Sequence, residues 1–303
     1  MNKRKFYSVI ALTLTAVMCL GAITASAAGS APTVQNLELD TYRDVSVGGQ
    51  LKAADADGDV VSYQITTQPV KGTVTLEENG KFVYAPDSGK KGKDYFGFKA
   101  QDSQGNVSQE GTVIIRICRQ KAAVTYSDMA GSGEYYDAVM LAKNGIFTGE
   151  KVGETFLFSP SREVTRGEFL TMCMELSGAK LLSGVMSTGF ADDRDIPAWE
   201  KPYISTAVMN GTVCGYSVTG GAVFDSGAPI TQAEASVMLN KAVGLTDVAS
   251  TDEAGAVPTW AAQSVANLSS HNIIPDGTVM SSSLTRGQAA QMLVKALDAV
   301  KGK

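Results

Sequence analysis

The stretch VTRGE, Val164 to Glu168, returns as ITQAE at 230–234 and as LTRGQ at 284–288. Each copy pairs a threonine with a glutamate or glutamine three positions on. That spacing predicts a capping box: the threonine hydroxyl accepts the N3 amide, and the N3 side chain reaches back to the N-cap amide. Thr165 with Glu168, Thr231 with Glu234 and Thr285 with Gln288 therefore mark three helix starts, each threonine contributing about 1 kcal/mol. The aliphatic residue before each cap, Val164, Ile230 or Leu284, stands where a hydrophobic staple begins.

Outward from these caps, the chain from Tyr126 to Val300 divides into three segments that each read helix, glycine-containing loop, helix. The registers agree. Gly149 and Thr165 lie 16 positions apart, as do Gly215 and Thr231, and Phe158 precedes Thr165 by 7, as Phe224 precedes Thr231. In the third segment Gly277 precedes Thr285 by only 8. The first helices carry apolar faces (Ile204, Ala207, Val208; Ala261, Val265, Leu268). So do the second helices (Phe169, Met172, Cys173, Leu176; Ala290, Leu293, Val294, Leu297). One such unit cannot bury its stripe alone, whereas three can. The expectation is one all-α domain of three equivalent units, with the second helices meeting at the centre.

The capping box does not explain the arginine. Arg166 and Arg286 fall at N1, where the helix dipole disfavours a cation. Beside an anion the placement makes sense, since free helix amides and a guanidinium both bind carboxylate or phosphate. The alternative is an ion pair with the neighbouring unit, through Asp128 or Asp192. Gln232 holds the position in the second copy.

Residues 31–119 follow period two. VVSYQIT (60–66), GTVTL (72–76), KFVYAP (81–86), YFGFKAQD (95–102) and GTVIIRI (111–117) alternate apolar and polar residues, with turn signals between them. The pattern predicts an antiparallel β-sandwich. Asn79-Gly80 predicts a type I′ hairpin turn with positive φ at both residues. Asp55, Asp57 and Asp59 alternate around Gly58 and are candidate calcium ligands, with Asp102 as a further one. The alternative is a solvated Asp-Gly turn. No other cofactor is expected.

Lys3, Arg4 and Lys5, an apolar run and Ala25-Ser26-Ala27 make residues 1–27 an export signal. Beyond it there is no stretch long enough to span a membrane. Net charge is −5, which argues against a non-specific nucleic-acid partner. Cys118, Cys173 and Cys214 form no disulfide framework and read as buried small hydrophobes. The single histidine, His271, reads as a surface residue at a helix C-terminus. Asp192 and Asp193 are adjacent, unlike the opposed pair a glycan hydrolase needs, so no enzyme is expected.

Two resemblances sharpen this reading. AADADGDVVSYQI (53–65), KGTVTL (71–76), GKFVYAP (80–86) and KDYFGFKAQDSQGNVS (93–108) make the first domain resemble a bacterial Ig-like or cadherin-like surface repeat, which implies a spacer or adhesive module. The three helical segments resemble S-layer homology repeats. They share the aromatic-x-Asp openings (Tyr126/Asp128, Phe190/Asp192), IPAW (196–199), VPTW (257–260), the mid-repeat glycines and the pentapeptide. That resemblance implies a three-pronged fold whose grooves bind secondary cell-wall polysaccharide, often through a pyruvylated sugar. It carries Arg166 and Arg286 over as anion contacts, Trp199 and Trp260 as sugar-stacking or core residues, and Asp128 and Asp192 as groove residues. Gln232, Thr251, Glu253 and Gln288 depart from the pattern, so fewer than three working grooves are expected.

The organisation read from sequence is a signal peptide (1–27), a β-sandwich (31–119) and three S-layer homology repeats (124–180, 188–245, 250–301). The whole is a wall-anchored surface protein whose sandwich contacts other surface proteins. The competing reading is a layer-forming protein that assembles laterally.

Overall fold

The computed structural model describes residues 29–246, 257–275 and 277–301. The export signal, Thr251 and Glu253 lie outside the described residues.

The N-terminal domain is built from β1 (Thr33–Val34), β2 (Leu37–Arg43), β3 (Val47–Gln50), β4 (Ala53–Ala54), β5 (Val60–Thr67), β6 (Gly72–Leu76), β7 (Lys81–Pro86), β8 (Gly92–Asp102) and β9 (Gly111–Lys121). One sheet runs β2-β9-β8-β5 and the facing sheet β3-β7-β6, while β1 and β4 pair separately. Alternation sends Val113, Ile115 and Ile117 of β9 into the core, where they meet Phe82, Tyr84, Phe96 and Phe98. The five predicted strands are present.

Three details differ from the sequence reading. The sandwich is not wholly antiparallel, because β2 runs parallel to β9. Parallel strands need a long crossover, and these two are joined through the whole domain. The Asn79-Gly80 turn is not type I′. Only Gly80 has positive φ (83°). Its amide donates to Glu77 O at 3.0 Å, and Glu77 N donates to Lys81 O at 2.7 Å. This is a turn closed by a glycine bulge. Of the cysteines, Cys173 is buried but Cys118 and Cys214 are exposed. Cys118 follows inward-facing Ile117 on β9 and so faces out.

The rest of the chain forms three helical units. Unit one contains α1 (Tyr135–Lys143), the hairpin β10 (Glu150–Val152)–β11 (Thr155–Leu157) and α2 (Arg166–Ser177). Unit two contains α3 (Lys201–Met209), the hairpin β12 (Tyr216–Val218)–β13 (Gly221–Val223) and α4 (Gln232–Val243). Unit three contains α5 (Ala262–Ser270) and α6 (Arg286–Lys301). The hairpins fill the loops of the first two units and were not expected. Helices α2, α4 and α6 meet one another, while α3 packs on α2, α5 on α4 and α1 on α6. The first helix of each unit thus completes the preceding one, and α1 closes the ring. Val208 is the exception on the first-helix faces, being exposed. His271 caps the C-terminus of α5 and is partly buried.

The sandwich docks on unit one. The outer edge of β3 and Ser46 just before it bond the first turn of α1 and the loop before it: Gly48 N donates to Gly133 O (2.8 Å), Tyr136 N to Ser46 O (3.2 Å), and Ser46 Oγ to Ser132 O (2.6 Å). The Tyr42 and Tyr136 rings stack at 6.1 Å.

Candidate functional site: the seams between units

The three pentapeptides meet at the centre of the helical domain. Val164 N donates to Leu284 O (2.9 Å), Ile230 N to Val164 O (3.0 Å) and Leu284 N to Ile230 O (2.9 Å). These bonds close a ring of three fully buried aliphatic residues. All three capping boxes form. Thr165 and Glu168, and Thr231 and Glu234, bond reciprocally. Gln288 N donates to Thr285 Oγ1 (3.3 Å), and Thr285 N to Gln288 Oε1 (2.9 Å).

The ring places each N1 residue at a seam with the next unit. Arg166 N donates to Ala228 O, Gln232 N to Ser282 O and Arg286 N to Arg162 O, at 2.9, 2.9 and 2.8 Å. The N2 amides of Gly167, Ala233 and Gly287 are likewise bonded, to Ser226, Met280 and Pro160. With N3 bonded to the threonine, the first three amides of every second helix are taken. The anion argument from free helix amides therefore fails, and any anion contact rests on side chains.

Arg166 is 5% exposed and Arg286 3%. Arg166 Nε donates to Phe224 O (3.1 Å), and its Nη1 pairs with Glu234 Oε1 (3.1 Å). Its guanidinium lies 4.5 Å from the Tyr216 ring centre, a favourable cation–π geometry. The Tyr216 hydroxyl donates to Glu234 Oε1. Burial works to raise the Glu234 carboxyl, but bonds from Tyr216 and Thr231 and the Arg166 charge hold it below its usual range. The ion-pair partner is thus the capping glutamate of the next unit, not Asp128 or Asp192. Arg286 differs: its Nη1 donates to Phe158 O (2.7 Å), and its guanidinium lies 4.9 Å from the Phe147 ring centre.

Asp128 and Asp192 clamp loops. Asp128 accepts Phe158 N and Ser159 N (3.0 and 2.6 Å), and Asp192 accepts Phe224 N and Asp225 N (3.0 and 2.7 Å). Ser159 and Asp225 hold φ of 56° and 58°, the left-handed region. Asp193 is bound by Lys201 and Thr188, which hold its carboxyl far below the usual range.

Trp199 and Trp260 are 54% and 60% exposed, so neither is a core residue. Each precedes the N-cap of its unit's first helix, Glu200 or Ala261. The same place in unit one, before N-cap Glu134, is Gly133, where the sandwich docks. Glu200 is buried, accepts from the Ser226 hydroxyl and lies against Gly167. Trp199 therefore stands beside the Arg166 seam. Tyr216, Glu234 and Arg162 are seam residues that sequence reading missed. The pentapeptide register marked Glu234 as a cap, but nothing local signalled the other two.

In the sandwich, Asp55, Asp59 and Asp102 bring one carboxylate oxygen each to within 4.8 Å of one another. Asp57 does not join them. Its amide folds back onto Asp55 Oδ1 (2.8 Å), and its carboxylate takes Ser30 N (3.3 Å). Asp55 Oδ2 and Asp59 Oδ1 are buried without a hydrogen-bond partner.

Comparison with known proteins finds a family match in the sandwich and one in the first helical unit. Residues 27–118 match the bacterial cadherin-like domain, and residues 125–170 match the S-layer homology domain. The surface-layer 125 kDa protein of Lysinibacillus sphaericus is 32% identical over 124 residues, 40% of this chain and 10% of that protein. The chain thus spans about a tenth of the curated relative it matches. Among solved structures, the SrpA adhesin of Streptococcus sanguinis is similar at 16% identity and TM-score 0.25, over 33% of this chain and 66% of that one. A SusE-like surface-located polysaccharide-binding protein of Bacteroides thetaiotaomicron is similar at 17% identity and TM-score 0.24, over 32% and 16%. Structural likeness at that level decides nothing about this chain. The domain matches and the surface-layer relative indicate a cell-surface protein. No helix among the described residues is long and apolar enough to cross a membrane.

Proposed function

We propose that the helical domain is a set of three S-layer homology repeats that hold the protein on the bacterial wall by binding secondary cell-wall polysaccharide, with the sandwich displayed as a spacer or adhesive module. The observation that carries this is the ring of pentapeptides, which sets an arginine or glutamine at every seam, with exposed Trp199 beside the Arg166 seam. Aromatic faces and planar guanidinium groups suit a glycan bearing carboxylates, such as pyruvate ketals. The test is co-sedimentation of the whole chain with purified walls. Binding is expected on native walls and absent once the polysaccharide is extracted, and retention on stripped walls would overturn the reading.

A second reading, lateral assembly into a layer, draws on the surface-layer relative. Ordered sheets formed by the purified protein without wall material would favour it. For the sandwich we propose calcium at Asp55, Asp59 and Asp102. The two buried carboxylate oxygens without partners support it, since calcium takes several oxygen ligands in flexible geometry. Millimolar calcium should raise the unfolding temperature of the wild type but not of Asp59→Asn.

A further inference from the structure

We infer that the seam between units three and one, rather than the one holding Arg166, seats the anionic group of the glycan, and that Arg162 acts there beside Arg286. This deepens the wall-binding reading and rests on it.

The three seams share one geometry, so their charges compare position by position. Each N1 residue faces the residue three before the next unit's cap and that unit's N3 side chain. At the first seam these are Arg166, Ala228 and Glu234, one cation with one carboxylate, paired at 3.1 Å. At the second they are Gln232, Ser282 and Gln288, without charge. At the third they are Arg286, Arg162 and Glu168, two guanidinium groups and one carboxylate. Arg162 takes it: its Nη2 lies 2.5 Å from Glu168 Oε1. Ala228 and Ser282 cannot compete in this way at the other seams.

Arg286 is left as a buried guanidinium with a backbone carbonyl and an aromatic ring for company. Among the described residues no carboxylate lies within 4.0 Å of it. The other acid of this seam, Glu134, packs beside Gly287 but accepts the Ser132 hydroxyl, and Lys81 of the sandwich lies 4.0 Å away. The matching acid at the first seam, Glu200, has no lysine near it among the described ion pairs. The third seam therefore carries one excess positive charge and the first none. A buried charge without a counter-ion is costly. A carboxylate or phosphate monoester entering this seam supplies the missing partner, and Arg162, exposed at the rim, offers it a second guanidinium.

The test uses the full chain and wall polysaccharide purified from the producing bacterium. The polysaccharide is presented native, after mild acid removal of ketal-linked carboxylates, and after hydrofluoric acid removal of phosphates. Wild type should prefer native glycan over one treated form, and which one names the anion. Arg162→Ala and Arg286→Gln should each weaken binding to native glycan by about tenfold, the worth of one charge-assisted contact, and abolish the preference. Arg286→Gln copies the residue that unit two already has, and Arg162→Ala removes an exposed side chain, so at least one variant will fold. Arg166→Gln should keep the preference. If Arg166→Gln abolishes it while Arg162→Ala does not, or if wild type binds all three preparations equally, the assignment is wrong. Wild type binding none of them would instead overturn the wall-binding reading.

Discussion

Arg166 and Arg286 occupy the same helical position and the same pentapeptide, yet only Arg166 has a carboxylate partner, the partly buried Glu234. That difference was invisible in the sequence because Glu234 is 68 positions from Arg166 and first reads as a helix cap. The caps themselves were legible, since a capping box lies within four consecutive residues. Thr231 joins the two roles: its hydroxyl takes Glu234 N and also contacts Glu234 Oε2 at 2.8 Å. Thr231→Ala should therefore lower stability by about 1–2 kcal/mol in urea unfolding, at the upper end for a lost cap. Thr285→Ala, whose partner is the uncharged Gln288, should cost less. A second residue sets a pH dependence. Burial between α1 and α6 raises the Asp137 carboxyl to about 7, with Lys295 opposing and Glu134 and Asp298 adding to the rise. The unfolded carboxyl titrates near 4. Between the two values the folded state binds the extra proton, so stability falls as pH rises from about 4 to about 7. Asp137→Asn should flatten that slope and raise stability at pH 8 by about 1–2 kcal/mol, because the side chain keeps some solvent contact. Unfolding midpoints measured at pH 5 and pH 8 decide it, and an unchanged slope in the variant would show that Asp137 does not carry it.

At the scale of elements, the helices were legible from their 3.6 period and the longer strands from their alternation. The hairpins β10–β11 and β12–β13 were not. Their strands are three residues long, too short for alternation to register, and β10 and β12 are exposed throughout. What the sequence did carry was the equal spacing, in units one and two, from the mid-unit glycine to the cap. The structure gives that glycine its reason: a Cβ at Gly215 would run into the Val223 carbonyl and the Phe190 ring, and one at Gly149 into the Leu157 carbonyl. Phe190 packs against Phe224 at 5.7 Å, and the Phe224 carbonyl holds Arg166, so the hairpin supports the seam. Gly215→Ala should cost about 1–3 kcal/mol, the range for forced overpacking. Gly227→Ala, where a Cβ meets nothing and φ is ordinary, should stay within about 0.5 kcal/mol. Equal effects of the two in denaturant titrations would show that the hairpin does not support the seam.

At the scale of the whole molecule, two closures determine the shape. The units close on themselves through α1 packing on α6, which the threefold pattern foreshadowed. The sandwich closes on unit one through the edge of β3, and nothing in the sequence announced that. The contact joins Gly48 to Gly133 by main chain alone, and a backbone contact between glycines leaves no hydrophobic period to read. Its logic appears only when the units are superposed by their N-caps: where units two and three carry Trp199 and Trp260, unit one carries Gly133. A side chain there is what the docking excludes, because even a Cβ on Gly133 would sit 3.3 Å from Val83 Cγ2 and 3.4 Å from Gly48 Cα. The bonds from Gly133 and Tyr136 also cover a strand edge that would otherwise invite pairing with another chain. Giving unit one the residue of its sister units, Gly133→Trp, should therefore undock the sandwich without unfolding either domain. Calorimetry of the wild type should show the two domains melting together, and the variant two separate transitions. Small-angle scattering should show a larger radius of gyration for the variant. Gly133→Ala, which asks Val83 to give only a few tenths of an ångström, should stay docked. If Gly133→Trp melts and scatters like the wild type, the edge contact is not what holds the domains together, and their coupling rests on the other contacts between them, the stacked Tyr42 and Tyr136 and the bonds from Lys143 to Tyr42 and from Lys52 to Asn272.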